Sequence, residues 1–468
     1  MNRDELEQLS KQEFIEIILR QHQQIEELMD AHKKLKADYE ALVMKFEHNQ
    51  KPPTNSGNSS QPPSKDQKKN KPKDKRKRHH GPPKGHEKHE REQVANPDKI
   101  IELHVENCKK CQCKLEHEAE KLVRVNQITE LPEIRSQVIE VRQYETVCPH
   151  CGVKQRAQAP EGLEMGRSFG ARLESTVVYY RQEQHMSYQR TQQALQNLYG
   201  VEISQGGIDG IMQKAGEKAA QAVKRIEDQI RQSTVIHCDE TSSRVGGNNW
   251  WEWVFCSAQA VLHVIRFNRS KDVIQDVMGN HQAEVWVSDC YSAQMRAPAH
   301  QRQLCLAHQL RNLQAAVEIE PSTTWAKAMQ VLFRYAIHLQ KQRGEMSPEY
   351  YKQQVERIER HCDRLLTRKL TQPQAKRLQK RYLKYRQCLF VFLYRDDVSP
   401  TNNVAERALR PSVVHRKVIG CFRSDWGVKA FADLASLIDT AELEGIHAFQ
   451  AILNIMGSPT YSSLPITP

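Results

Sequence analysis

Long apolar runs are what this chain most lacks. No stretch approaches the ~20 consecutive apolar residues that cross a bilayer, and hydrophobic residues fill only 38% of 468 positions. A membrane is therefore not an expected partner. The opening residues MNRDELEQ hold no apolar leader, so the expected location is the cytoplasm. A disulfide framework is also missing. Of 12 cysteines, four form two C-x-x-C pairs and most others sit singly in apolar runs, where a buried thiol acts as a small hydrophobe. Acid is in short supply: 57 Asp and Glu face 69 Lys and Arg, leaving a formal charge of +12 and a pI near 9.0. A polyanion is the first partner to consider.

The excess base is unevenly placed. Between Lys65 and Arg91 there are twelve Lys or Arg and four Asp or Glu, a net of +8. Residues 49–98 are rich in Pro, Ser, Asn, Lys and His and have almost no apolar content. They read as a basic disordered linker whose charges can still release counterions from phosphates. Ahead of it, residues 1–48 repeat apolar positions every seven: Ile18, Ile25, His32, Tyr39, Phe46, with Phe14, Gln21, Leu28, Leu35, Leu42 as the second series. That predicts a coiled-coil helix that drives self-association. Behind the linker, Cys108-x-x-Cys111 and Cys148-x-x-Cys151 are separated by 36 residues that alternate like strands. Four thiolates so spaced can close a tetrahedral structural Zn²⁺ site, so residues 99–165 read as a zinc ribbon. Cys113 lies too close to Cys111 for both to be obvious ligands. Residues 166–232 read as helical, with one helix ending near Tyr199-Gly200 and another beginning at Ser204, a spacing that suits a DNA-binding helix-turn-helix.

From residue 233 the texture changes. STVIHCDE, WWEWVFCSA, AVLHVIRFN, AEVWVSDC and RQLCLAH read as five strands, with a helix before the fourth. The first three are close enough for an antiparallel meander, and the whole suggests a mixed sheet in an α/β domain. Residues 308–395 read as a wholly helical, charged insertion, and the domain resumes at 396–456 before a tail at 457–468. Two strands end in aspartate. Alternation places Val235, His237 and Asp239 on one face of the first, and Val285, Val287 and Asp289 on one face of the other. A helix laid across that face could add Glu406. Asn403 and Glu406 also have capping-box spacing, in which the glutamate returns to an amide at the helix start, so both roles stand at this point. Three carboxylates suit two Mg²⁺ ions, with Mn²⁺ able to substitute, and such a pair serves phosphoryl transfer. Arg410, Arg416, Lys417 and Arg423 extend a basic surface fit for a DNA backbone, with Pro411 expected to kink or restart the helix.

Several blocks carry a resemblance. NSGNSSQPPSKD (55–66), the paired C-x-x-C, HCDET (237–241), SDCYSA (288–293), LCLAH (304–308) and above all NNVAERALRPSVVHRKVIGCFRSDWG (402–427) resemble transposases of the insertion sequence 66 family. These are DDE transposases with a ribonuclease-H-like catalytic core. The sequence departs from the pattern at Thr401, where aspartate is usual, and at Cys290, where glycine is common. The resemblance implies a multidomain α+β protein. Its ribonuclease-H-like mixed α/β catalytic domain would span 233–307 and 396–456 and carry the metal-binding triad Asp239, Asp289 and Glu406. It implies an enzyme that cleaves element ends and joins them to target DNA, on DNA in the bacterial nucleoid, with small accessory transposition proteins as further partners. Two alternatives stay open: a nuclease on the same fold without strand transfer, and a catalytically silent DNA-binding protein descended from a transposase.

Overall fold

The structure, a computed structural model, describes residues 11–49, 91–115, 121–160 and 162–457. The basic tract of 65–91, apart from Arg91, and the tail beyond 457 lie outside the described residues. The first element is α1 (Lys11–Asn49). On it Ile25, Leu28 and Leu35 are 55%, 69% and 69% exposed; the side chains of the other seam positions Ile18 and Leu42 lie outside the described residues. Among the described residues no helix is long and apolar enough to cross a membrane.

The described residues fall into two compact units. One holds α1 with the residues of Gln143–Thr191 and Gln205–Pro468; the other holds those of Lys69–Arg142 and Gln192–Ser204. In the second unit the alternating segment does not form the strands its pattern predicts. Described residues from 121 to 142 carry no strand and are mostly exposed. Alternation supplies one apolar face, but a strand needs a neighbour to take its amides and carbonyls, and among the described residues no strand pairs with it. Among the described residues of 91–165, β1 (Glu145–Val147) and β2 (Lys154–Arg156) pair as a short antiparallel hairpin in the first unit, and Asn107 and Lys114 form an isolated antiparallel bridge. Then follow α2 (Ala171–Gln182), α3 (Tyr188–Tyr199) and α4 (Gln205–Arg231). Gly200, at φ 64°, takes the left-handed turn that stops α3 where the sequence places its end.

The sheet runs β3 (Val235–Val245), β4 (Asn248–Cys256), β5 (Val261–Arg266), β6 (Ala283–Ser288) and β7 (Ala299–Leu304), in spatial order β5-β4-β3-β6-β7. β3, β4 and β5 form the antiparallel meander, and β6 and β7 add in parallel. A helix, α5 (Lys271–Met278), precedes β6, whereas only a short 3₁₀ turn at Gln294–Arg296 separates β6 from β7. One face of the sheet buries Ile236, Cys238, Phe255, Leu262 and Trp286 against Val223, Ile226 and Ile230 of α4 and Ile274 and Met278 of α5.

The other face carries the helical insertion. After β7 come α6 (Leu306–Ile319), α7 (Thr324–Lys341), α8 (Pro348–Leu366) and α9 (Pro373–Lys384), ending in short 3₁₀ turns. Their core, around Trp325, Phe333, Tyr382 and Phe390, is continuous with Val235, Val285, Val287 and Leu304 of the sheet. The chain then returns in α10 (Asn403–Ile419), α11 (Asp425–Leu443) and α12 (Ala448–Met456). α10 does not restart at Pro411 but continues through it. Proline removes the bond to the carbonyl four residues back, at Arg407, and both residues are exposed, so water can satisfy that carbonyl. At Gly216 of α4 an added Cβ would meet the Ala430 Cβ of α11 at 2.5 Å. Glycine there sets how closely the two helices cross.

Candidate active site

Alternation along β3 sends Ile236 and Cys238 to the α4/α5 side and Val235 to the side of the helical insertion. Asp239 shares parity with Val235. β6 divides in the same way, Trp286 to one side and Val285 and Val287 to the other. The parallel register pairs His237 with Val287. Contrary to expectation, β3 does not end at Asp239 but runs on to Val245; the register, continued two residues beyond its last pair, brings Asp239 level with Asp289 just past the end of β6.

Glu406 arrives from α10, whose Ala405 and Leu409 pack on Val254, Cys256 and Val261 of that face. The start of the helix is pinned by Asn402, which is fully buried. Its Nδ2 donates to the Cys238 carbonyl at 2.8 Å, and its amide donates to the Cys305 Sγ at 3.1 Å. Its Oδ1 lies 3.3 Å from His237 Nδ1. Burial drives the His237 pKa down to about 4. The ring is therefore neutral, and with Oδ1 as acceptor the proton belongs on Nδ1. The capping box does not form. Asn402, not Asn403, is the N-cap, and it makes no side-chain cap bond. The Glu406 carboxylate turns instead to the insertion, where Oε1 accepts from Arg311 Nη2 at 3.0 Å and lies 3.5 Å from His308 Nδ1.

The surroundings of Asp239 disfavour its charge. Burial, then the charges of Glu240, Asp289 and Glu406, push the Asp239 carboxyl up to about 8. Asp239 Oδ1 accepts the Glu240 amide at 2.9 Å, and Asp289 Oδ1 accepts the Tyr291 amide at 2.8 Å. Both oxygens are thereby oriented by backbone. A cluster of carboxylate oxygens under mutual repulsion is a donor set that fits a hard divalent cation, which would remove the repulsion.

Sequence reasoning missed the residues that surround these acids. Glu240 is buried as a fourth acid, but its oxygens are taken: Arg269 Nε and Nη2 donate to Oε1 at 3.0 and 2.6 Å, and Gln294 Nε2 to Oε2 at 2.7 Å. Arg269 is held between the rings of Trp251 and Tyr291, 4.4 and 4.1 Å from their centroids. His308 and Arg311 were legible in part, since LCLAH ends a strand and opens a helix, placing the two three apart on one helical face. His308 is kept below its ordinary pKa by burial and then by the Arg311 charge. Ligand atoms of Cys305, His308 and Glu406 all lie within 4.8 Å of one another.

Of the expected DNA-contacting residues, Arg410, Lys417 and Arg423 are exposed. Arg416 is half-buried and donates to Ser242 Oγ at 3.0 Å. The cysteine pairs form two like turns. The Cys108 amide donates to the Cys113 carbonyl and the Gln112 amide to the Cys108 carbonyl; the Cys148 amide donates to the Val153 carbonyl and the Gly152 amide to the Cys148 carbonyl, each at 2.9 Å. Gln112 and Gly152, at equivalent places, both take positive φ, 59° and 71°. The first pair belongs to the second unit and Cys148 and Cys151 to the first, so each is a turn in its own right. Cys113 does join its neighbours, with its Sγ 2.9 Å from that of Cys111 and all three of Cys108, Cys111 and Cys113 within 4.8 Å. Hydrogen bonds from the Cys113 thiol and amide lower Cys111 to about 7, and those of the Cys151 and His150 amides lower Cys148. Lowered thiols favour the thiolate that a metal requires.

Comparison with known families finds two matches. Residues 13–92, covering most of α1 and the basic tract, match a family of unknown function, DUF6444. Among curated proteins nothing matches the chain. Residues 166–430, which contain the sheet, the insertion and all three acids, match the transposase IS66 family. That is more than half of the 468 residues, and the chain belongs to the transposase IS66 family.

Proposed function

We propose that the protein cleaves the ends of a DNA element and joins them to target DNA, with Asp239, Asp289 and Glu406 holding two Mg²⁺ ions. One observation carries this reading: Asp239 midway along β3, Asp289 just past the end of the adjacent parallel strand β6, and Glu406 on a crossing helix stand close enough that the charges of Asp289 and Glu406 add to burial and to Glu240 in lifting Asp239 to about 8. The strand order β5-β4-β3-β6-β7, three antiparallel and two parallel, supports a ribonuclease-H-like core.

When bound, the pair of ions supplies a Lewis acid at both the attacking and the leaving oxygen of an in-line displacement. The chain's own contribution is positional. The Glu240 and Tyr291 amides aim the Asp239 and Asp289 oxygens. Arg311 fixes Glu406, and Asn402 fixes the helix that carries it. Arg410, Arg416, Lys417 and Arg423 would hold the DNA backbone. The like turns at Cys108–Cys113 and Cys148–Val153 support a structural zinc held by Cys108, Cys111, Cys148 and Cys151. The exposed Ile25, Leu28 and Leu35 of α1 support self-association, which would hold two ends together.

The test compares the unaltered protein with Asp239→Asn, Asp289→Asn and Glu406→Gln in Mg²⁺, on DNA carrying the element's own ends. All three variants should lose cleavage and joining together while keeping fold and DNA binding, because a two-metal site fails as a unit. A Glu406→Gln protein that cleaves and joins at the normal rate would defeat the reading. Cleavage without joined products would favour the nuclease alternative.

A further inference from the structure

We infer that α9 of the helical insertion binds the phosphate backbone of the DNA duplex flanking the carboxylates, an inference that rests on the transposase reading above. The helix is amphipathic in an unusual sense. Ala375, Leu378 and Tyr382 form its buried stripe. On the outside, Lys376, Lys380 and Lys384 recur every four residues and are all exposed, with Arg377 and Arg381 beside them. From Leu366 to Tyr385 the chain has seven Lys or Arg and no Asp or Glu. Among the described residues none of the five basic side chains of α9 pairs with a carboxylate.

A charged solvated helix looks different, as the neighbouring helix illustrates. α8 has four Lys or Arg and four Asp or Glu, and its Glu359 and Asp363 both pair with Arg386. Mixed signs suffice for solubility; five like charges with no carboxylate among them repel one another. That repulsion is relieved when a polyanion lies along the stripe. The dimensions agree. Lys376 to Lys384 spans about 12 Å of helix, roughly three to four phosphates at ~3.4 Å of axis per strand.

The stripe is anchored beside the acids. Cys290, the residue after Asp289, packs against the core that contains Ala375, Leu378 and Tyr382. The sheet and the insertion share that core, so the distance from α9 to the strand ends does not depend on a hinge. Arg410, Lys417 and Arg423 belong to α10 and the turn after it, so α9 supplies a separate rail on the Asp289 side.

The experiment uses the full chain with Lys376→Gln, Lys380→Gln and Lys384→Gln combined, since glutamine keeps the helix propensity of lysine and leaves the buried stripe alone. Binding to mixed-sequence duplex DNA is measured across salt concentrations. Each lost phosphate contact should flatten the log-log slope by about 0.9, so the triple variant should lose about two to three units of slope. A matched variant on α8, Lys352→Gln, Arg357→Gln and Arg360→Gln, should leave the slope unchanged. A triple α9 variant with the slope of the unaltered protein, or an α8 variant flattened as much, overturns the assignment. An unaltered protein with no salt-dependent affinity for duplex DNA would sink the transposase reading and α9 with it.

Discussion

Asn402 sits at the meeting point of three elements that the site needs, bonded to β3 through Cys238 and His237 and to the head of α6 through Cys305. Truncating it to alanine strands a buried carbonyl and a buried imidazole. Asn402→Ala should destabilise the fold by about 2 kcal/mol or more, read as a lower denaturant midpoint; an unshifted midpoint would show that the side chain anchors nothing. His263 offers a pH test. It is 2% exposed, with Nδ1 2.9 Å from Glu252 and Nε2 2.9 Å from Asp439. Burial alone would lower its pKa, but the hydrogen bonds and charges of Asp439 and Glu252 outweigh it and raise it to about 10. The folded value exceeds the unfolded one, so this contribution to stability is complete below about 6.5 and is lost as pH rises through about 10. Ring ¹⁵N shifts should report an imidazolium at about pH 8, and a neutral ring there would refute the pairing. Ser412 donates to the same Glu252 at 2.6 Å, so the network also ties α10 to β4.

At the scale of elements, packing overrules local signals in ways single residues do not announce. Pro411 reads as a break, yet α10 continues because the bond it forfeits lies on the wet side. Residues 121–142 read as strands, yet remain unpaired because alternation does not provide a partner edge. The α4–α11 crossing is decided by the absence of one methyl. Gly216→Ala should gain about 1 kcal/mol of helix propensity but force apart backbones already at 3.1 Å from the new Cβ to the Ala430 Cα. The expected net loss is about 1–3 kcal/mol. Adding Ala430→Gly in the same chain should recover part of it. Equal melting temperatures for Gly216→Ala and the unaltered protein would show that the helices can move apart at no cost.

At the scale of the whole molecule, α1 presents the clearest unspent surface: Ile25, Leu28 and Leu35 lie on one seven-residue pattern and face solvent in a single chain. Removing residues 1–48 should lower the mass measured by light scattering, since a heptad seam buried in a second copy is what holds such helices together. An unchanged mass would remove the seam from the account.

Much of the architecture was legible because its physics is local. The period of two in TVIHCD and EVWVSD already placed Val235 and Asp239 on one face and Val285 and Asp289 on another, and the lengths of the first three strands and their turns already implied a meander. The heptads of α1 and the charged helical run after β7 were equally plain. Which faces meet was not. That Asp239 lies level with Asp289 follows from a parallel register set between segments some fifty residues apart. That Glu406 faces Arg311 and His308 rather than its own helix end follows from Asn402 docking on β3, a contact spanning 164 positions. Glu240, Arg269 and Gln294 were invisible because none carries a motif, and their importance comes only from burial around one carboxylate. Residue type and periodicity determine which side chains are available and which way a strand or helix presents them. Only the tertiary structure decides the register, crossing and burial that bring acids of like charge within reach of one another, because those depend on contacts the chain makes with itself at long range.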